Sequence, residues 1–201
     1  MSKFRYIKIF SLKSKMRFFL TSRHWVLFIT MVGIPAIIYL AGMTFSILTD
    51  NMTGILYTFP FVMIFSGLMF LGWLWSIGIG LYPKIPEAIF VNKRRFRHLF
   101  IFVSLYMLAL IISYNLLFVF NANPPLDFFY STGLLVFIPI HLFYVFCLFY
   151  LLYYNAKTIR SIELNKEAKW SDFTGEFILL WFWPVGIWIL QPRINRIATT
   201  L

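Results

Sequence analysis

Four long apolar runs, at about 25–47, 55–82, 99–120 and 133–154, alternate with short polar stretches along this 201-residue chain. Each run reaches the ~20 residues that a helix needs to cross a bilayer, so the pattern predicts four transmembrane helices. A fifth apolar stretch, 177–190, comes near the end: Phe-Ile-Leu-Leu-Trp-Phe-Trp-Pro-Val-Gly-Ile-Trp-Ile-Leu. Its length as a helix is about 21 Å at ~1.5 Å per residue, short of the ~30 Å hydrocarbon core.

The first run contains Pro35, whose kink is tolerable where a neighbouring helix satisfies the freed carbonyl. The second is longer than a crossing requires, so it must tilt, bend near Pro60 or project beyond the membrane. Gly72, Ser76 and Gly80 recur within it at every fourth position, placing small side chains on one face where another backbone can approach closely. Packing within the chain is the default expectation for that face, and an oligomer interface the sharper one. The third run is free of proline and glycine, and the fourth carries Pro139 and His141.

Charge placement sets the expected topology. Residues 1–24 hold Lys3, Arg5, Lys8, Lys13, Lys15, Arg17 and Arg23. The middle connector holds Lys84, Lys93, Arg94, Arg95 and Arg97, and the region after the fourth run holds Lys157, Arg160, Lys166, Lys169, Arg193 and Arg196. Together these are all 18 Lys and Arg residues, and the two remaining connectors carry only Asp50 and Asp127. The positive-inside rule therefore places both termini in the cytoplasm. Orientation explains most of the net charge of +11, with Arg23, Lys93, Arg94, Arg95 and Arg97 facing anionic headgroups. Nucleic acid is an unlikely partner, since the basic tail supplies no groove-reading motif. Residues 1–24 are read as a basic tail, 25–155 as the four-helix domain, and 156–201 as a cytoplasmic region with a membrane-associated segment over 177–191.

Three placements compete for that segment. A fifth span would carry Arg193 and Arg196 to the side that has no other basic residue. A surface helix needs a polar face, which the stretch lacks within itself. A re-entrant or bundle-docked hairpin keeps both ends cytoplasmic and is favoured. Its turn falls near Trp183-Pro184-Val185-Gly186, with Pro184 removing a donor and Gly186 permitting turn dihedrals. Trp181, Trp183 and Trp188 mark it as the least generic feature of the chain.

Composition agrees with this class: 61% of residues are apolar and 12% charged, and 25 Phe, 11 Tyr and 7 Trp suit lipid-facing and interfacial positions. A single cysteine, Cys147, rules out an intrachain disulfide or a CxxC pair. No Asp, Glu, Lys or Arg falls inside the four runs. His141 is the one group there that titrates near neutrality, and Asn115 is its expected hydrogen-bond partner across the short connector between the third and fourth runs. Glu163, Glu167, Asp172 and Glu176 are expected to pair with Lys166 and Lys169 along a helix. No cofactor, metal or catalytic motif is expected.

The chain is thus expected to be a non-enzymatic, multi-pass membrane protein acting through assembly, as a subunit of a membrane complex or as a homo-oligomer. An oligomeric, channel-like or membrane-perturbing effector is the alternative, and a transporter or enzyme using His141 ranks below both. In plan the chain resembles small multi-pass accessory or effector proteins of bacterial complexes, including phage-defence loci. That resemblance, of architecture alone, implies the bacterial inner membrane as its location.

Overall fold

The computed structural model describes residues 18–86, 89, 91–116 and 134–199. The basic tail before residue 18, Glu87 and the connector carrying Asn121 to Asp127 lie outside the described residues. Among the described residues the fold is all helical, with no strand. Four helices are long and apolar enough to cross a membrane: α1 (His24–Leu48), α2 (Thr53–Lys84), α3 (Lys93–Tyr114) and α4 (Leu134–Leu164). Two shorter helices, α5 (Trp170–Trp181) and α6 (Trp183–Thr199), form a hairpin against their basic end.

The irregularities of α1 and α2 have local causes. In α1 a wide π turn over Ile29–Gly33 precedes Pro35. Proline leaves the carbonyl four residues back without its usual donor, and the Ser66 hydroxyl of α2 makes a long, 3.4 Å contact to that Met31 oxygen. A second π turn in α2, Ser76–Gly80, passes into a short 3-10 turn over Tyr82–Lys84, so the overlong helix ends by changing pitch.

At the far end α1 closes with a Schellman arrangement. The Asn51 amide donates to the Ser46 carbonyl and the Asp50 amide to that of Ile47, with Asp50 at φ 47°. The two helices then meet almost backbone to backbone. A Cβ on Gly42 would lie 2.7 Å from the Gly54 carbonyl oxygen, and one on Gly54 would strike the Gly42 oxygen. The Ser46 hydroxyl receives the Ile55 amide at 3.0 Å, and Thr58 donates to the Gly54 oxygen at 2.7 Å. Gly42–Ser46 and Gly54–Thr58 each have the small-x3-small spacing that permits such an approach.

Helix α4 has 31 residues, about 46 Å at ~1.5 Å per residue, and outruns a ~30 Å core. It continues through residue 155 without a break, carrying Lys157, Arg160 and Glu163 beyond the apolar run before Asn165, at φ 51°, ends it. Two apolar cores result. One joins Trp75, Phe96, Phe100 and Tyr154 around α2, α3 and α4. The larger gathers Leu27, Trp73, Leu74, Ile77, Ile159, Phe173, Leu180, Ile187 and Ile194, tying the hairpin to α1, α2 and α4.

Candidate functional site

The distinctive site is where the hairpin meets the basic end of the bundle. Helix α5 begins with the Asp172 carboxylate accepting the Lys169 amide at 2.9 Å, and it runs back along α4. Phe177 and Trp181 both meet Phe149, the latter edge-on at 4.5 Å. The chain reverses at Phe182, whose backbone (φ −86°, ψ 53°) leaves the helical region. Its carbonyl then accepts the amides of Val185 and Gly186, starting α6. Pro184 thereby falls in the first turn, where a missing donor costs nothing.

Gly186 departs from the expectation. It has no positive φ and lies inside α6, so it supplies no special turn dihedral. What requires glycine there is space: a Cβ would run into the carbonyl of Leu179 across the hairpin. The hairpin tip sits level with Phe149 of α4 and Phe70 of α2, against which Trp183 packs at 5.7 Å, within the apolar stretches of both helices. Trp188 closes on His24 at 4.9 Å and on Phe28 at 5.3 Å.

Two polar assemblies fix the hairpin base. Gln191 is fully buried, accepting the Trp73 indole N–H at 2.8 Å and donating to the Phe19 carbonyl at 2.7 Å and to Asn195 Oδ1 at 2.8 Å. Asn195 in turn donates to the Ser22 carbonyl at 3.0 Å. One amide pair thus ties α6 to α2 and to the turn ahead of α1. In the second assembly, Arg193 engages both oxygens of Glu163 (Nε–Oε1 2.8 Å, Nη2–Oε2 2.5 Å) and reaches Glu176 at 2.6 Å. Arg160 adds a 3.2 Å bond to Glu163. Lys84 donates to the carbonyls of Ile197 and Ala198, a cation at the negative end of α6.

The expected pairing of these carboxylates with Lys166 and Lys169 is not what forms. Among the described residues Glu163 and Glu176 pair with Arg193, and Glu167 pairs with Lys157 at 2.6 Å. Chain reversal brings Arg193 across the hairpin, and a planar guanidinium holds two carboxylates at once, which a lysine does poorly. The bonds from Arg193 hold the Glu163 carboxyl below its ordinary value against burial, and the same bonds raise Arg193. The hydrogen bond from Lys157 lowers Glu167 likewise.

A cleft of about 890 Å³ opens here, lined by Lys84, Arg160, Glu163, Glu176, Arg193 and Arg196 among others. Its two central carboxylates are committed to Arg193, so the arrangement is a brace between helices. Among the described residues no His, Cys, Asp and Glu cluster is placed to hold a metal ion.

The other residues singled out in the sequence fall as follows. The Gly72–Ser76–Gly80 face is occupied within the chain. A Cβ on Gly72 would sit 2.9 Å from the Phe19 ring and one on Gly80 2.7 Å from Leu20, and Ser76 is buried. His141 and Asn115 are not brought together. Nδ1 of His141 lies 3.1 Å from the Tyr106 hydroxyl, while Asn115 donates to the Ile111 carbonyl of its own helix. Antiparallel packing sets Tyr106 level with His141, and Asn115 lies nine residues, about 13 Å, farther along α3. Arg95 rests over the Tyr150 ring and Lys93 over the Tyr82 ring, while Arg94 and Arg97 are exposed.

Sequence reasoning missed Gln191, Asn195 and the Arg193 brace. It also passed over Gly42–Ser46 and Gly54–Thr58, which carry the same spacing signal used for Gly72. Tyr154, Asn155 and Thr158 are a further surprise. They are buried in α4, and Tyr154 Oη, both amide atoms of Asn155 and Thr158 Oγ1 have no hydrogen-bond partner among the described residues.

No protein-family model matches the chain, and neither a curated protein nor a solved structure matches it.

Proposed function

We propose that this chain is a non-enzymatic integral membrane protein with four spans and both termini cytoplasmic, working through assembly with other membrane-embedded subunits or with copies of itself. The hairpin tip is the contact surface, entering the membrane from the cytoplasmic side and returning. Supporting this reading is one observation: the tip is apolar and open although its base is firmly fixed. Trp181, Phe182, Val185 and Trp188 are 46–62% exposed. Large contiguous apolar patches mark interaction sites for lipid or protein. The brace at Arg193 and Gln191 presents this one rigidly, which lowers the ordering cost of association.

A photoreactive amino acid at Phe182, activated in intact membranes, should give a discrete crosslinked protein species. Native mass spectrometry in mild detergent should show a partner or a homo-oligomer. Crosslinks to lipid alone together with a lone monomer would overturn the assembly reading. For the topology, a thiol placed by Thr199→Cys should label only from the cytoplasmic side, with the buried Cys147 silent. Labelling from outside would refute the hairpin placement.

A further inference from the structure

We propose that the seam between α2 and α3 seats one anionic phospholipid, its phosphate held at the start of α3 and one acyl chain lying in the groove below. This inference rests on the membrane-spanning reading of those helices. Two adjoining hollows share Ile101. One, of about 470 Å³, is lined by Lys93, Arg94, Arg97, His98 and Ile101. The other, of about 600 Å³, is apolar and runs along Leu68, Trp75, Ile101, Leu105, Leu108 and Ile111.

The residues of α3 that line the two hollows recur every three or four positions, so both belong to one helix face. Ser104, the hydroxyl in the groove, is spent on the Phe100 carbonyl of its own helix and offers no polar foothold. From Ile101 to Ile111 the groove extends about 15 Å at ~1.5 Å per residue, half of a ~30 Å hydrocarbon core and so the acyl depth of one leaflet.

Charge selects the occupant. Helix N-termini favour anions, yet the first turn of α3 carries Lys93, Arg94 and Arg95 with no acid. Arg95 turns away toward Tyr150, whereas Arg94 and Arg97 are exposed and join none of the ion pairs among the described residues. A phosphate there offsets both the mutual repulsion of the cations and the helix dipole. A soluble anion would leave the groove empty, and an apolar helix would leave the cations uncompensated. An anionic amphiphile satisfies both.

The test is native mass spectrometry of the full chain in mild nonionic detergent. Phosphatidylglycerol and phosphatidylcholine with identical chains are added in equal amounts. One phosphatidylglycerol should be retained in preference. Arg94→Gln/Arg97→Gln should cut that preference about 30-fold, the product of two contributions of the size basic residues make near anionic headgroups. Lys166→Gln/Lys169→Gln, removing the same charge elsewhere, should leave the preference largely intact. Ser104→Phe should abolish retention by filling the groove, and glycerol phosphate should fail to displace the lipid from the unmodified chain.

Equal losses in the two charge variants would overturn the proposal, since they would indicate general attraction to the headgroup layer. Displacement by glycerol phosphate would overturn it in favour of a free-anion site, and a dimer seated on the seam would overturn it in favour of a partner helix. Resistance of the chain to alkaline extraction from membranes reads the spanning assignment separately, so its failure is distinguishable from a failure of lipid retention.

Discussion

The indole N–H of Trp73 donates to the side-chain oxygen of Gln191 at 2.8 Å, across 118 residues of sequence. The amide's other end takes the Phe19 carbonyl, so a single buried side chain serves donors and acceptors from three parts of the chain. Gln191→Leu would keep the volume and strand the indole N–H and that carbonyl. A buried polar group left unsatisfied costs about 1–3 kcal/mol. The variant should lose that much in a detergent-micelle denaturation titration, and an unchanged midpoint would show that the bonds carry no weight.

Two glycines of the hairpin should respond in opposite directions. A Cβ on Gly175 meets nothing within 4 Å, whereas one on Gly186 meets the Leu179 carbonyl. Gly175→Ala should stabilise α5 by up to about 1 kcal/mol through helix propensity. Gly186→Ala should destabilise the hairpin by about 1–3 kcal/mol, the usual range for overpacking. Protease sensitivity of the α5–α6 turn and the unfolding midpoint would both report the difference.

The Arg193 brace should be sensitive to acid. The Glu163 carboxyl is lowered in the folded chain, so its stabilising contribution is complete above the unfolded carboxylate value of about 4.5 and is lost as pH falls through the lower, folded value. The contribution of the Glu163–Arg193 pair should therefore be constant from pH 7 down to about 5 and decline below 4.5. In Arg193→Gln, Glu163 and Glu176 face each other without the shared cation, and part of the acid decline should disappear. A steeper decline than in the unmodified protein would refute the brace.

Thr158 gives the most counter-intuitive expectation. Its hydroxyl is buried without a hydrogen-bond partner among the described residues, so Thr158→Val should stabilise the protein by about 1 kcal/mol, the smaller end of the cost of an orphaned polar group. A loss of stability would reveal a bound water or ligand bridging Thr158 to Asn155 and Tyr154.

The four long apolar helices could be read from run length because a bilayer crossing would demand a minimum number of consecutive apolar residues, whatever their partners. The hairpin could be read because Arg193 and Arg196 made a fifth crossing costly and Pro184 suggested a break, although the reversal falls at Phe182. Gly186 was located for the wrong reason: composition cannot distinguish a glycine needed for its dihedral from one needed for clearance. The ties of Gln191 to Trp73 and Phe19 and the Glu163–Arg193–Glu176 cluster were illegible because those partners lie 17 to 172 residues away. Local spacing rules see only neighbours three or four positions apart. His141 illustrates the same limit, since depth estimates from either end of a hairpin do not fix the register between two helices.

The contacts of Gln191 and Asn195 with the Phe19 and Ser22 carbonyls join α6 to the turn ahead of α1. Synthesis runs from the N-terminus, so α1 to α4 are made before the residues that fasten α6 to them. During that interval the Trp73 indole and the carbonyls ahead of α1 await their partners. The tie between α6 and the turn ahead of α1 can therefore form only once α6 has been made. A chain truncated ahead of Gln191 would keep four apolar helices and still lack the fastening of α6 to the turn ahead of α1.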